Sequence, residues 1–560
     1  MKAIDLHVHS NYSDGTKTPS ELISLACEKE LAAIALTDHD TTKGIEEILR
    51  AAKDQPLEIV SGIEFSTEYL GKDIHILGLY INPYHPAFLS HIETFQESRT
   101  NRNRKMCERL RELGINITYE ALSEEFHGAI ITRAHYARYL LEHGYVKSLR
   151  EAFERYVGDH CPAFVPREKI TPNDAVELIL KCGGIPVLAH PVLYRFSDRV
   201  LEKLVTSLAA SGLVGIETVY STYSPSEERY IRRLAQRHHL LITGGSDYHG
   251  ENKPDISLGT GRGHLFVPEE YLTLLKEAYL ARLSDDIPKK SILFFDLDGT
   301  LLDDTKTITP ETMSALRACV SYGHVFAISS GRSHNSIRKI IEQLNLAELN
   351  PVISAYNGSH ISDYQSGKVL STFGLTPEIV NGVRNLAVAN NIHIQSYSDS
   401  AILSEKENEE LAFYRKWTGT THEKVAHLAD ACSNPYKMLA IHLTEHYRLV
   451  SLKEQIEEKY GDSVDCVFSN EYFLEVMPKN ISKGSALKFL CNYTGIPEKN
   501  SYAFADAEND ISMLQAAGNG VALLNAHPKA KAVADFITFT DNNHDGLAPF
   551  LNRLAGLCKI

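Results

Sequence analysis

Short apolar runs that close on a polar or charged residue recur along this chain, with long amphipathic stretches between them. AAIALTDHD, LEIVSGIEFS, GIPVLAHP, LVGIETV and LLITGGSDYHG are of this kind. In the intervening TPSELISLACEKE, Thr18 and Glu21 form a capping-box pattern with Pro19 at the first helical position. Such runs read as buried strands, and strand–helix alternation predicts an α/β architecture with a mostly parallel sheet or barrel. Folds of this class gather their chemistry at the carboxyl ends of strands, where these polar residues fall.

Two breaks divide the pattern. From about Leu89 to Pro166 the chain turns helical and rich in Arg and Glu, through ESRTNRNRKMCERLRELG, TRAHYARYLLEHG and SLREAFERYVG. This predicts a helical insertion walling the first domain's site. Further on, LSDDIPKKS is polar, contains Pro288, and gives way at once to the apolar ILFFDLDGTLLDD. The predicted division is a domain over 1–283, a linker over 284–291 and a second domain over 292–560. Size agrees, since 560 residues exceed what one hydrophobic core usually supports.

Composition narrows the classes of function. The net charge of −15 argues against a protein that coats long nucleic acid, which needs a basic footprint. A small phosphorylated substrate stays compatible, because bound metal ions reverse the local field. The 9 cysteines are scattered and form no C-x-x-C pair, as expected of reduced thiols in a cytoplasmic protein. MKAIDLHVH lacks the charged and apolar regions of a secretory signal, and no apolar run is long enough to span a bilayer. A cytoplasmic protein without a membrane partner is expected.

His7 and His9 are i and i+2 in KAIDLHVHS, so on a strand their side chains share one face. Other metal-capable residues end later strands or open the loops after them. They are Asp14 in SDGT, His39 in LTDHD, Glu64 in SGIEFS, His75 in DIHILG, His190 in LAHP, and Asp247 with His249 in GGSDYHG. One histidine at such a place is ordinarily a satisfied core group. A set of nine strains that explanation. Imidazoles mixed with carboxylates suit Zn, Fe or Mn, and one ion takes only about four to six donors. A site for two or three divalent metals is predicted.

The ordered motifs H-x-H-S, S-D-G-T, T-D-H-D, G-I-E, A-H-P and S-D-x-H resemble the PHP (polymerase and histidinol phosphatase) superfamily over about residues 1–280. The resemblance implies a distorted β/α barrel of about seven strands carrying up to three metals. It implies one metal on His7, His9, Glu64 and Asp247, a second on Glu64, His75 and His190, and a third on Asp14, His39 and His249. Such metals lower the pKa of water and clamp phosphoryl oxygens, so phosphoester hydrolysis is the implied reaction. The helical insertion resembles the branch acting on nucleoside monophosphates, 3′,5′-bisphosphonucleotides or the 5′ ends of short RNA. Within it, TRAHYARYL offers Arg133 and His135 as phosphate grips, against the alternative of a solvated helix face. One departure is Leu193, which stands where nucleotidase relatives carry Arg; Arg195 is the candidate to replace it.

In the second domain FFDLDGTLL sets Asp296 and Asp298 two residues apart at a strand end. ISSGRS places Ser330 at the end of another strand, MPKNISKGSALKFL places Lys483 at a helix start, and FADAENDISML supplies Asp506 and Asp510. Together these resemble the haloacid dehalogenase (HAD) superfamily over about residues 290–560. SAYNGS and LEVMPK further resemble its Cof-type branch. The resemblance implies a Rossmann-like core with an α/β cap of type C2B over about 374–470. Asp296 is then the nucleophile that forms an aspartyl-phosphate, and Asp298 the acid and base. Ser330 and Lys483 hold phosphoryl oxygens, and Gly331 and Asn357 are substrate-binding candidates. Asp296, Asp298, Asp506 and Asp510 are the Mg²⁺ ligand candidates. Ala505 departs from the glycine usual in the family.

The reading is a bifunctional phosphohydrolase acting on small phosphorylated metabolites or nucleotides. Three alternatives compete with it. The basic stretch from Arg99 to Arg111 suits a 5′–3′ exonuclease on short RNA. Histidinol phosphatase activity also occurs in the first superfamily, though that branch lacks this S-D-G signature and insertion. A non-catalytic phosphometabolite sensor would ordinarily lack a nucleophile or a ligand, and neither half does.

Overall fold

The computed structural model describes residues 2–127, 129–166, 170–283, 290–398, 401–431 and 434–557. The chain divides into two compact units, Met1–Leu283 and Ser284–Ile560. The predicted linker lies outside the described residues as far as position 289.

Among the described residues, eight strands build the first unit: β1 (Ala3–Val8), β2 (Ala33–Leu36), β3 (Glu58–Tyr69), β4 (Lys72–Leu79), β5 (Ile185–Leu188), β6 (Gly215–Tyr220), β7 (Leu241–Gly245) and β8 (Val267–Pro268). They form one sheet in the order β7-β6-β5-β4-β3-β2-β1-β8. β1, β2 and β3 pair in parallel, as do β5, β6 and β7, while β4 runs antiparallel to both neighbours. The far ends meet just after β7, where His9 N donates to Tyr248 O at 3.0 Å and Asp247 N to His7 O at 2.9 Å. The result is a nearly closed barrel. Gly245 permits the closure, because a Cβ there would lie 2.4 Å from His7 Cβ. The short β8 adds an antiparallel strand beyond the seven predicted.

Apolar faces explain the helices around this sheet. Pro172–Lys181 and Asp198–Ala210 bury Val176, Ile179, Leu204 and Leu208 against Ile63, Ile76, Leu188 and Ile216. The predicted Thr18–Glu21 capping box is present, with both reciprocal bonds made. The insertion is helical through Pro86–Glu112, Tyr119–Glu125 and Arg133–Glu142, and has its own core of Met106, Leu110, Leu122, Tyr136 and Leu140.

The second unit starts with β9 (Ile292–Phe295), β10 (Val325–Ser329), β11 (Val352–Ala355), β12 (His360–Asp363) and β13 (Val369–Thr372). A second sheet follows, made of β14 (His393–Tyr397), β15 (Ile402–Ser404), β16 (His422–Lys424), β17 (Met438–Ile441), β18 (Val464–Asn470) and β19 (Phe473–Pro478). The chain then returns through β20 (Ser501–Ala505), β21 (Asn519–Ala522) and β22 (Phe536–Ile537). The core sheet has the order β13-β12-β11-β10-β9-β20-β21-β22, parallel from β11 to β22. Its central strands β9, β10 and β20 are short and buried on both faces, as parallel strands covered by helices must be.

The cap sheet has the order β16-β15-β14-β17-β19-β18, covered by helices Pro377–Ala389 and His446–Tyr460. It runs past the predicted limit at Asn470 to Pro478, because β19 pairs with both β17 and β18. Among the described residues no helix is long and apolar enough to cross a membrane.

Candidate active sites

In the first unit all nine metal-capable residues singled out in the sequence converge at one end of the barrel. His7 and His9 project from the end of β1 and are fully buried. His7 Nε2 lies 3.2 Å from Glu64 Oε2 and 3.6 Å from Asp247 Oδ1; His9 Nε2 lies 3.0 and 3.5 Å from the same oxygens. The other oxygen of Glu64 is 2.7 Å from His75 Nδ1 and 3.1 Å from His190 Nε2. Asp14 stands 3.2 Å from His249 Nε2 and 3.8 Å from His39 Nε2. The donor atoms group within 4.8 Å of one another as His9–Asp14–His39–His249, His7–Glu64–His190, His7–His9–Asp247 and His39–Glu64–His75. His7, His9 and His39 are therefore each shared between groups, whereas the implied ligand sets share only Glu64.

These atoms fit cations on chemical grounds. His7 Nε2, His9 Nε2, His39 Nδ1, Asp14 Oδ1 and Glu64 Oε2 are buried without a hydrogen bond. Leaving a buried polar atom unsatisfied costs about 1–3 kcal/mol, so five facing one another require a partner that accepts lone pairs from imidazole and carboxylate together. Burial opposes ionisation of Glu64, but His39, His7 and His75 outweigh it and hold the carboxyl well below its usual range. The same balance, with His39 and His249 as the neighbours, keeps Asp14 low.

Further carboxylates brace this cluster. Asp38 accepts from Ser10 N at 2.8 Å, Ser10 Oγ at 2.6 Å and Ser13 Oγ at 2.6 Å, pinning the loop that carries Asp14. Burial pushes Asp38 up to about 6. Asp40 takes Ser66 N at 2.9 Å and the Arg99 guanidinium. Glu217, Tyr220 and Lys253 also reach ligands. The sequence reading missed them; the one signal was a carboxylate set inside the apolar LVGIETV.

A cleft of about 480 Å³ opens beside Asp14, His39 and His75, and the cations lining it are Lys72, Arg99, Arg102 and Arg133. Arg133 is braced by Asp159 at 2.6 Å and lies over the Phe164 ring. His135 differs from expectation. It occupies the third position of its helix, so its ring folds back to accept from Thr132 N at 3.0 Å, and it lines a separate hollow with Phe126 and Arg138. Burial pushes this imidazole down to about 4. Arg195 differs too. It follows a tight turn with φ of +50°, is exposed, and is not among the cleft's lining residues, which include Leu193 and Tyr194.

In the second unit the carboxyl ends of β9, β10 and β20 and the start of helix Lys483–Thr494 bring the candidate residues together. Lys483 is buried; its Nζ donates to Asp296 Oδ1 at 2.6 Å and also to Asp510. Asp296, Asp506 and Asp510 present oxygens within 4.8 Å of one another. Burial, with Asp510 beside it, lifts Asp506 to about 7, while Thr300 donates to its Oδ1 at 2.6 Å. Three clustered carboxyls served by a single lysine fit a hard cation such as Mg²⁺. Gly299 makes room for them, since it has a φ of +80° and a Cβ there would sit 2.5 Å from Asp506 Oδ2.

Asp298 stands outside that carboxylate group. Arg332 grips it bidentately, at 2.6 and 2.8 Å, and Lys306 adds a bond at 2.8 Å. Burial alone would raise the carboxyl, but Arg332 and Lys306 bring it down to about 2. Ser330 is buried, and its carbonyl accepts from Asn357 N at 3.0 Å. Gly331 O accepts from the buried Lys437 at 2.7 Å, and the Asn357 amide donates to Glu475. Gly331 and Asn357 thus meet cap residues Lys437 and Glu475. Arg332, Lys306, Lys437 and Glu475 were not anticipated, although Arg332 directly follows the Ser–Gly pair in ISSGRS.

Comparison with known proteins divides the chain in the same way. The PHP domain family matches residues 5–158, and the haloacid dehalogenase-like hydrolase family matches residues 293–551. A 3′,5′-nucleoside bisphosphate phosphatase of Chromobacterium violaceum is 35% identical over 259 residues, 46% of this chain and 91% of its own. A 5′-3′ exoribonuclease of Haemophilus influenzae is 36% identical over 248 residues, 44% of this chain and 90% of its own. A 5-amino-6-(5-phospho-D-ribitylamino)uracil phosphatase of Bacillus subtilis is 27% identical over 286 residues, 46% of this chain and 96% of its own. A solved haloacid dehalogenase-like hydrolase from Bacteroides thetaiotaomicron, 26% identical, covers 47% of this chain and 99% of its own with a TM-score of 0.44.

Proposed function

This chain belongs to two hydrolase families, joining a PHP domain to a haloacid dehalogenase-like hydrolase, and from that premise we propose a bifunctional metal-dependent phosphohydrolase. The PHP half hydrolyses nucleotide phosphomonoesters of the AMP or 3′,5′-bisphosphonucleotide type. The HAD half hydrolyses a small phosphometabolite such as a sugar phosphate. The observation that carries the first reading is the set of buried, unsatisfied imidazole and carboxylate atoms beside a cleft that also presents four cationic side chains.

In the PHP half, two or three divalent ions (Mn, Fe or Zn) would be held by His7, His9, Asp14, His39, Glu64, His75, His190, Asp247 and His249. In the HAD half, Mg²⁺ would be held by Asp296, Asp506 and Asp510. Bound cations supply Lewis acidity toward phosphoryl oxygens and lower the pKa of water. The chain's own groups do the rest. Arg133, kept in place by Asp159 and Phe164, offers its planar fork to a phosphate entering the cleft. Arg102 and Lys72 add positive charge along the same wall.

In the HAD half the Asp296 carboxylate attacks phosphorus, its P–O bond forms as the leaving-group bond breaks, and an aspartyl-phosphate results. Lys483 and Ser330 hold the transferring oxygens. Asp298 gives a proton to the leaving oxygen as that bond breaks; its carboxylate, stabilised by Arg332 and Lys306, then takes a proton back from the water that cleaves the aspartyl-phosphate.

A second reading of the PHP half, a 5′–3′ exonuclease on short RNA, is favoured by the exoribonuclease relatives. The basic stretch does not lend itself to a long track. Arg99 pairs with Asp40, Arg104 with Glu120, and Arg109 donates to Phe164 O. The test is phosphate release from AMP, a 3′,5′-bisphosphonucleotide, histidinol phosphate, a 5′-phosphorylated oligonucleotide and a panel of sugar phosphates. Each is run on wild type, Asp247→Asn and Asp296→Asn. Nucleotide turnover lost only in the first variant and sugar-phosphate turnover lost only in the second is the expected pattern. Turnover untouched by both substitutions overturns the two-site reading and leaves a sensor.

A further inference from the structure

β6 contributes none of the nine candidate ligands, yet two of its side chains end on them. Glu217 is fully buried and splits its two oxygens between two neighbours. Oε1 lies 3.1 Å from His7 Nδ1, while Oε2 accepts from His190 N at 2.8 Å. The first contact directs His7 Nε2 toward Glu64 and Asp247. The second secures a residue whose φ of +26° is unusual for a side chain other than glycine. Tyr220 donates from its hydroxyl to Asp247 Oδ2 at 2.6 Å, and Lys253 Nζ reaches the same oxygen at 2.5 Å. With Oδ2 held twice, only Oδ1 faces His7, His9 and His249, at 3.6, 3.5 and 3.3 Å.

A regular strand could not do this. Glu217 and Tyr220 are three residues apart, an odd spacing that sends side chains to opposite faces of a sheet. The pairing of β6 with β7 breaks register between Glu217 and Val219, where Glu217 opposes Thr243 and Val219 opposes Gly244. This bulge at Thr218 resets the alternation, so both side chains point into the barrel's mouth.

We propose that Glu217, Tyr220 and Lys253 are positioning residues: the bulged β6 fixes the orientation of His7 and His190, and the Tyr220–Lys253 pair restricts Asp247 to offering a metal one oxygen. The assignment rests on the metal-centre reading above. It predicts that the three residues set metal affinity and coordination number without contacting metal or substrate. Glu217→Gln keeps the shape but has one acceptor where two are needed, so one of its two bonds is lost. Tyr220→Phe with Lys253→Met frees Asp247 Oδ2 to become a second ligand atom.

The test is Co²⁺ titration of chelator-stripped full-length protein against a chromophoric chelator, with the visible absorption of the bound ion recorded. Glu217→Gln should weaken Co²⁺ by about tenfold to a hundredfold, the usual effect of removing a residue that orients a ligand. The Tyr220→Phe/Lys253→Met pair should bleach the visible band as coordination number rises, and Lys253→Arg should restore it. Some loss of melting temperature is expected in both stripped variants, because each leaves a buried carboxylate with fewer bonds, so Co²⁺ affinity and the visible spectrum are the readouts that decide. Wild-type affinity and spectrum in both variants would overturn the assignment, as would a drop in melting temperature with unchanged Co²⁺ affinity. Wild-type protein that takes up no Co²⁺ would sink the metal-centre reading itself.

Discussion

Lys483 Nζ sits 2.6 Å from Asp296 Oδ1, although 187 residues separate the two in sequence. The same ammonium serves Asp510, and Asp506 adds a third carboxyl to the group. One buried lysine therefore offsets the charge of Asp296 and of its neighbours.

Lys483→Met should lower turnover of the HAD substrate by about a hundredfold or more, the scale seen when a donor that stabilises developing charge is lost. It should also destabilise the second unit by about 3–5 kcal/mol, because Asp296 and Asp510 stay buried without their cation. Phosphate release and urea unfolding measure the two effects. Nucleotide hydrolysis by the PHP half should not change.

Stripping metal should inactivate both halves and soften the first. The stripped PHP centre retains unsatisfied buried atoms, so restoring ion at a hundred times its dissociation constant should add about 2.7 kcal/mol to unfolding. Calorimetry with and without Mn²⁺ reads this directly. An unchanged melting transition would contradict the site.

Arg133→Ala and His135→Ala separate two neighbours that look alike in sequence. Arg133 lines the cleft, so its loss should raise KM for nucleotides about tenfold, roughly 1.4 kcal/mol, with a smaller change in kcat. His135 caps a helix outside the cleft, so its loss should cost about 2 kcal/mol of stability and leave KM alone. Steady-state kinetics and thermal melts on the two variants decide the matter.

Acid should weaken the second unit partly through His324. This buried imidazole accepts from Ser291 N at 3.0 Å and lies 2.9 Å from Leu554 O, an arrangement that suits the neutral ring. Burial pushes its pKa below the usual value, so the unfolded chain binds the proton more readily. The sign follows: this contribution is full above the unfolded value near 6.5 and is lost as pH falls through it toward the folded value. His324→Gln should flatten the pH dependence of stability below pH 6.5, measured by urea unfolding at a series of pH values. An unchanged slope would remove His324 as the cause.

Much of the candidate chemistry was legible in the sequence because its residues stand at the ends of apolar runs. His7, His9, Glu64, Asp247, Asp296 and Lys483 could each be placed by counting along a strand or to a helix start. The supporting groups were less legible. Glu217 sat in plain view within LVGIETV, but its role depends on a bulge that no local pattern announces. Arg332 was passed over because its partner, Asp298, lies 34 residues away. His135 and Arg195 misled for the opposite reason: residue type suggested a phosphate grip, while a helix cap and a left-handed turn aimed them elsewhere.

Residue order alone determined the alternation of strands and helices, the division near residue 284, and which side chains stand at strand ends, since these follow from local periodicity and burial. Only the tertiary structure decided which ends meet, how Glu64 is shared among five histidines, which oxygen of Asp247 is left available, and which cations face the cleft. Those outcomes depend on barrel closure and on contacts between residues far apart in the chain, where a shift of an ångström changes which atom a side chain touches.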